Sequence, residues 1–431
     1  MLILDRFIRI SFLCGSAPLR EAFVTIIMLL ALAASSQAQN WDRFRGPDGA
    51  GQGEGSSIPV EFSPANFLWR RPLPGIGHSS PVVWGSQVFV TAGDRESAEQ
   101  VVAAFDVQSG KPMWERRLAG QPYPIHAQSS FASNTPAVDA NRVYHLWRTG
   151  NTAWIIALTH TGEEVWRREM SVASDENGFG VSPIVMEGVV IVAVENETGE
   201  SSITGLDAAR GEVRWKIPRP LGKAPYCTPC ALELPGGKKV FVAASTAAGL
   251  SAYDPSNGKL VWQAIEKELP QRIVGSPIAA GGLVITSCGI LGNGLVTIAV
   301  RADGVNYPLK EAYRIKENVP YVPTPVVAGN LLFLWNDRGT VSCHDLATGE
   351  QHWRQRVGGN FNCSPLHIGG RIYCISMEGE VVVLAADQSY RLLGRSSIGE
   401  PTSATPAVAH GRLFVRTESS LMCIGEAAGA N

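Results

Sequence analysis

Side chains able to do chemistry are spread thinly along this 431-residue chain. Glu195-Asn196-Glu197 is the one acidic cluster that could offer oxygens to Ca²⁺. That ion takes about six to eight oxygen ligands, so a single loop of this kind also reads as a solvated surface. His78 and His126 could act as general bases or metal ligands, or could simply hydrogen-bond backbone. Cys227 and Cys230 flank Thr228-Pro229 at a spacing that suits a disulfide, a redox pair or half of a zinc site. No second Cys-x-x-Cys completes the zinc site, which favours a structural role, reduced or bridged. No Ser-His-Asp order, phosphate loop or paired-carboxylate signature stands out, and no catalytic residue is assigned.

The elements that must position these groups are visible as a repeat. Ser-Pro or Thr-Pro, followed by apolar residues and a Gly- or Asn-containing turn, recurs eight times, beginning at Ser80, Thr135, Ser182, Thr228, Ser276, Thr324, Ser364 and Thr405. The spacings run from 40 to 55 residues, the size of one four-stranded propeller blade. Each unit reads as two short apolar strands, a third ending in Ala-x-Asp or a variant of it, a Gly turn, and a fourth strand carrying Trp. Ala104-Phe105-Asp106 thus leads through Gly110 to Trp114, and Ala252-Tyr253-Asp254 through Gly258 to Trp262. Pro opens a strand where its missing N–H costs little, Asp can bond turn backbone, and Gly supplies positive φ. The small Ala is read as letting neighbouring sheets approach. Trp69, Trp114, Trp166, Trp215, Trp262 and Trp353 are read as structural plates. Cys343 and Cys423 stand at the small Ala position.

Two units are degenerate, with Tyr313 in one and Leu392-Leu393 in the other where Trp is expected. The eighth stops at its third strand, Leu421-Met422-Cys423-Ile424, while Phe67-Leu68-Trp69-Arg70 stands unpartnered ahead of the first unit. The early strand is therefore expected to complete the last blade and close the ring, removing open edges. The fold class is all-β, an eight-bladed propeller of four-stranded antiparallel blades.

Strand order assigns loops to faces. Residues just before each Ser/Thr-Pro and the loops between second and third strands share one face, called top here, where propellers usually place ligands. Beyond the acidic cluster, the polar candidates there are His78, Asp94, Arg95, His126, Gln128, Asn134, Arg148, Tyr226, Arg272, Tyr321, Asp337, Arg338, Asn360 and Asn362.

Ala-x-Asp-x-x-Thr-Gly-x-x-x-Trp repeated around a ring resembles the PQQ-like propeller superfamily, over roughly residues 67–425. That superfamily spans quinoprotein dehydrogenases, BamB-type outer-membrane assembly factors and many exported proteins. Asn40-Trp41 with Phe44-Arg45-Gly46-Pro47, His126 with Ser130-Phe131-Ala132-Ser133, and Trp215 with Arg219 look closer to an exported group common in planctomycetes. The chain departs from the dehydrogenases: it has no Cys-Cys pair, and Cys230 is followed by Ala231 rather than the His of a haem site. It also lacks a convincing lipobox at Cys14.

Net charge is −2, which gives no basic field for nucleic acid. Residues 1–38 read as a signal peptide: Arg6, Arg9 and Arg20, an apolar run from Ala22 to Ala34, then small residues before a cleavage near Ala38. Residues 39–66 form an N-terminal extension, 67–425 the propeller and 426–431 a tail. The product is expected in the periplasm or secreted, not integral to a membrane after cleavage, and monomeric. The leading reading is a non-catalytic scaffold whose top face binds a protein, peptide or glycan, with no cofactor. The alternatives are a PQQ- and Ca²⁺-dependent oxidoreductase and a sensor ectodomain.

Overall fold

The computed structural model describes residues 40–55, 57–172, 177–264, 269–290, 293–302 and 310–426. The expected signal peptide and, Glu426 aside, the tail lie outside them. Among the described residues eight sheets follow the repeat, each with four antiparallel strands, and almost no helix is present. Blade 1 holds Val82–Trp84, Gln87–Gly93, Gln100–Asp106 and Pro112–Leu118, paired in that order from the channel outward. Gln87–Gly93 is buried at every position, whereas Pro112–Leu118 is largely exposed or half-buried. The middle strands are covered on both faces by neighbouring blades, so they read as continuous apolar runs; the outer strand meets water.

Blade 8 takes Ala407–Ala409, Arg412–Arg416 and Ser420–Ile424 from the end of the chain and Phe67–Pro72 from its start. Trp69 lies opposite Cys423, and Arg70 opposite Met422. The orphan strand closes the ring as its sequence demands.

The repeated tryptophans act between blades. Trp69 donates its indole N–H to the Val107 carbonyl at 3.0 Å, Trp114 to His160 at 2.7 Å, Trp166 to Ala208 at 3.1 Å and Trp215 to Pro255 at 2.9 Å. Each acceptor sits on the Asp–Gly hairpin of the next blade. The ring of Trp69 lies against that hairpin's glycine: a Cβ on Gly110 would fall 2.5 Å from it, and φ there is +66°. The small residue of the third strand has a role beyond the one expected. It lies opposite the Trp of its own blade, as Ala104 does Trp114 and Gly205 does Trp215, and makes room for that indole, while Ala104 also packs with Val138 and Val143 of the next blade. A Cβ on Gly205 would come within 2.1 Å of Trp215.

The two degenerate units have separate explanations. Tyr313 keeps the geometry with a different donor, its hydroxyl reaching the Leu346 carbonyl at 2.8 Å. Tyr313→Phe should cost about 1 kcal/mol, one net hydrogen bond, measurable by urea unfolding. In blade 7 Gly394 occupies the Trp register opposite Val383, and backbone of the N-terminal segment fills the space: a Cβ on Gly394 would lie 2.4 Å from the Val60 carbonyl oxygen. Tyr373 and Arg371 hold that segment by donating to the Ile58 carbonyl, each at 3.0 Å.

The Ser/Thr-Pro motif builds a second belt around the channel. The N–H of Ser80 donates to the Thr135 hydroxyl at 2.9 Å, Thr135 to Ser182 at 3.0 Å and Thr228 to Ser276 at 2.9 Å. Ser276 continues to Thr324 at 2.9 Å, Thr324 to Ser364 at 3.0 Å and Ser364 to Thr405 at 3.0 Å. An inner-strand N–H that would otherwise be buried unpaired is satisfied by the next blade's hydroxyl.

Candidate functional site

The residue two places before each repeated Ser or Thr faces the channel mouth on the top side. Around the ring these residues are His78, Ser133, Gly180, Tyr226, Val274, Val322, Asn362 and Ser403. With His126, Gln128, Ser129, Asn177, Phe179, Arg272 and Tyr321 they enclose a cavity of about 310 Å³. Below it the space narrows to about 110 Å³, ringed by seven of the eight repeat hydroxyls from Thr135 to Thr405 and stopped by Phe44 of the N-terminal segment.

Arg272 organises one wall. Its Nη1 donates to the Tyr226 hydroxyl at 3.0 Å, and the guanidinium lies 5.6 Å from that ring. The Asn177 side-chain oxygen accepts from Nη1 at 2.8 Å and Nη2 at 3.1 Å, and Glu197 stands 3.5 Å from Nη2. Asn362 donates to the Ser403 hydroxyl at 3.2 Å. His126 uses its Nδ1 to accept from the Gln128 N–H at 3.2 Å, so it shapes its own loop. Burial, with Arg416 and Arg95 nearby, pushes His78 down to about 4, leaving a neutral imidazole at pH 7. Asp337 accepts from the Tyr321 and Val322 N–H groups at 2.8 and 3.0 Å and fixes the loop that carries Tyr321; its burial pushes its carboxyl up.

Of the candidates read from sequence, His78, His126, Gln128, Tyr226, Arg272, Tyr321 and Asn362 come together in this cavity. The others are placed elsewhere. Asp94 caps the exposed turn that carries Arg95, accepting from Ser97 N–H at 2.8 Å. Asn134 is fully buried and donates to the Val181 carbonyl. Arg148 is buried 4.2 Å from the Tyr123 ring centre and donates to the Gly150 carbonyl at 2.8 Å. Arg338 lines an outer groove between blades 5 and 6, and Asn360 donates to Glu378 at 3.1 Å. Phe179, Asn177, Ser129 and Ser403 went unnoticed in the sequence, and Ser133 was read only as part of a family-like segment, not as a site residue. The column two places before the repeat hydroxyl would have found two of the cavity's serines, Ser133 and Ser403.

The carboxylates weighed for Ca²⁺ face cations. Glu195 lies 3.3 Å from Arg219 with both side chains buried, and Glu197 lies 2.5 Å from Lys223. Asn196 donates to the Glu200 carbonyl at 2.5 Å. Among the described residues no cluster of three His, Cys, Asp or Glu is arranged to hold a metal. Cys227 and Cys230 are both buried free thiols; burial pushes each up to about 12, so neither is an active thiolate. Among the described residues no carboxylate lines the cavity, which carries two imidazoles, His78 and His126, beside the guanidinium of Arg272. Such a lining offers groups for stacking and hydrogen bonding.

A family model described as "Outer membrane protein assembly factor BamB" matches residues 51–133, 98–304 and 316–392. A relative of that name from Yersinia pestis is 24% identical over 370 residues, covering 83% of this chain and 77% of the relative. The solved BamB of Moraxella catarrhalis superposes with TM-score 0.60 at 15% identity, covering 85% of this chain and 98% of that one. A quinohaemoprotein alcohol dehydrogenase of Comamonas testosteroni superposes with TM-score 0.65 at 14% identity, covering 91% and 81%. The likenesses to solved structures are likenesses of fold.

Proposed function

The chain belongs to the BamB family of outer-membrane assembly factors, and from that premise we propose that it is a non-catalytic, exported scaffold whose top face binds a protein partner in the cell envelope. One observation supports this reading: the eight innermost top-face positions and their loops enclose a cavity lined by aromatic, amide, hydroxyl and imidazole groups and the Arg272 guanidinium. Tyr226, Tyr321, Phe179 and Arg272 are the residue types that dominate binding energy at protein interfaces. The partner is expected to seat a side chain or short peptide in the cavity while the surrounding loops contact its surface. No cofactor enters this reading. Among the described residues no helix is long and apolar enough to cross a membrane.

Photo-crosslinking in the native envelope tests it. A photoreactive amino acid at Gln128 or Tyr321 should trap a defined envelope protein, and the same group at Ser109 on the opposite face should not. Tyr226→Ala should then weaken that complex by about 2 kcal/mol, a factor of about 30. Crosslinks equal on both faces, or a complex indifferent to Tyr226, would remove the top face from the function.

A further inference from the structure

We propose that the ring channel is a peptide-binding site entered from the bottom face, that residues 40–53 are its resident and displaceable ligand, and that an extended peptide with the same Arg-x-Arg spacing can replace them. The observations behind this site are separate from those behind the top-face reading, although Phe44 of the segment also lines the narrow part of the top cavity.

The segment reads the ring at one repeated register. The second residue after the repeat's Pro turns its backbone to the channel in every blade whose contact is seen. Val83 exchanges two hydrogen bonds with Trp41, at 2.9 and 2.8 Å. Val138 donates to the Asp42 carbonyl at 2.7 Å, Ala231 to Asp48 at 3.1 Å and His367 to Gly51 at 2.9 Å. Val327 accepts from the Gln52 side chain. Only Gln52–Gly53 pairs as a strand, parallel to Leu366–Ile368. This is recognition of a peptide by sheet edges, with single contacts spread over five blades.

Specificity lies in two arginines that run up the channel wall. Arg45 is 1% exposed and donates to the Pro325 and Pro365 carbonyls at 2.8 and 2.9 Å, clasping blades 6 and 7. Arg43 donates to the Pro229 carbonyl of blade 4. The acceptors are the repeat prolines themselves, whose carbonyls the ring presents whatever fills the channel. Gly51 allows the fit, because a Cβ there would meet the Arg45 guanidinium at 2.5 Å.

The same segment carries several unsatisfied buried polar groups, which favours its release. Among the described residues, Nε and Nη1 of Arg43, Nε1 of Trp41 and Oδ1 of Asp42 are buried without a partner. Arg45 holds a left-handed φ of +63°, strained for a residue with a side chain. Burial pushes Arg45 down to about 9 and Asp42 up to about 6, so water competes for both charges. The ring-closing strand Phe67–Pro72 is separate, so release of residues 40–53 leaves every blade complete.

The test uses the full chain. In native-state hydrogen exchange the amides of Val83, Val138, Ala231 and His367 should open together, at least about tenfold more often than the second-strand amides of the same blades. Arg45→Ala should raise that opening about tenfold further while circular dichroism stays native. A labelled peptide of residues 39–54 should then bind the variant, and the same peptide with both arginines replaced by Ala should not. If Arg45→Ala does not fold, slow uptake of the labelled peptide by the wild-type chain decides instead. The proposal is overturned if the four amides exchange only through global unfolding, or if a folded Arg45→Ala ring keeps its protection and takes up no peptide.

Discussion

Deleting residues 39–72 should abolish the cooperative unfolding transition and leave a chain that aggregates. The deletion removes Phe67–Pro72, the outer strand of blade 8, and so exposes the backbone of Ser420–Ile424 as an unpaired edge. It removes Trp69, which is 5% exposed, packs against Phe414 with ring centres 6.0 Å apart and bridges to Val107 in blade 1. Losing a buried Trp alone costs about 3–5 kcal/mol, and marginal stability for a folded chain is about 5–15 kcal/mol. The deletion also uncovers blade 7, where backbone at Ile58 to Phe62 fills the space left by the missing Trp. Deleting only residues 40–57 also removes a buried Trp, Trp41, but spares the ring closure, so it should destabilise less and keep a cooperative transition. Melting of the two truncations, followed by circular dichroism, separates these contributions. A chain lacking 39–72 that melts like the full chain would mean that three strands suffice for blade 8.

The ring was legible because its physics is repeated. Ser/Thr-Pro, the small third-strand residue, the hairpin Gly and the Trp each solve the same packing problem in most blades, so a motif weak in one copy becomes strong in the series. The lone Trp69 strand gave away the closure for the same reason. The channel segment stayed hidden because its partners are remote: Arg45 meets carbonyls 280 and 320 residues away, and Arg43 one 186 residues away. Locally it looks like a polar, Gly-rich extension. The top face was legible only by half because polarity is a poor guide to direction near a strand end. His78 and Ser79 are neighbours, yet only His78 lines the cavity; likewise Ser133 lines it while Asn134, one residue on, is buried beneath. Position within the repeat, rather than chemical type, decides which side chain reaches the mouth.

Glu195→Ala should destabilise the ring by about 3–5 kcal/mol through the charge it leaves behind, the usual outcome when one member of a buried ion pair is removed. Glu195 follows the second strand of blade 3, and its carboxylate lies 3.3 Å from Arg219 with side-chain exposures of 4% and 2%. Arg219 follows the outer strand of the same blade and crosses to blade 4, donating to the Tyr253 hydroxyl at 2.7 Å and lying 6.0 Å from that ring. The pair is therefore a joint between two blades as well as a neutralised charge. Without Glu195 the guanidinium keeps its place against Tyr253 but loses its counterion in a site closed to water. Glu197→Ala, two residues on, should change stability by only about 0–1 kcal/mol, since Glu197 and its partner Lys223 are both partly exposed. A double-mutant cycle with Arg219→Ala should recover much of the Glu195→Ala loss, because the stranded charge is then gone. Urea unfolding of the wild type, the three single variants and the double variant, with and without excess chelator, reads the result. A loss that appears only when Ca²⁺ is present in the wild-type sample would instead assign Glu195 to a metal, and equal small losses at Glu195 and Glu197 would mean that water reaches the joint.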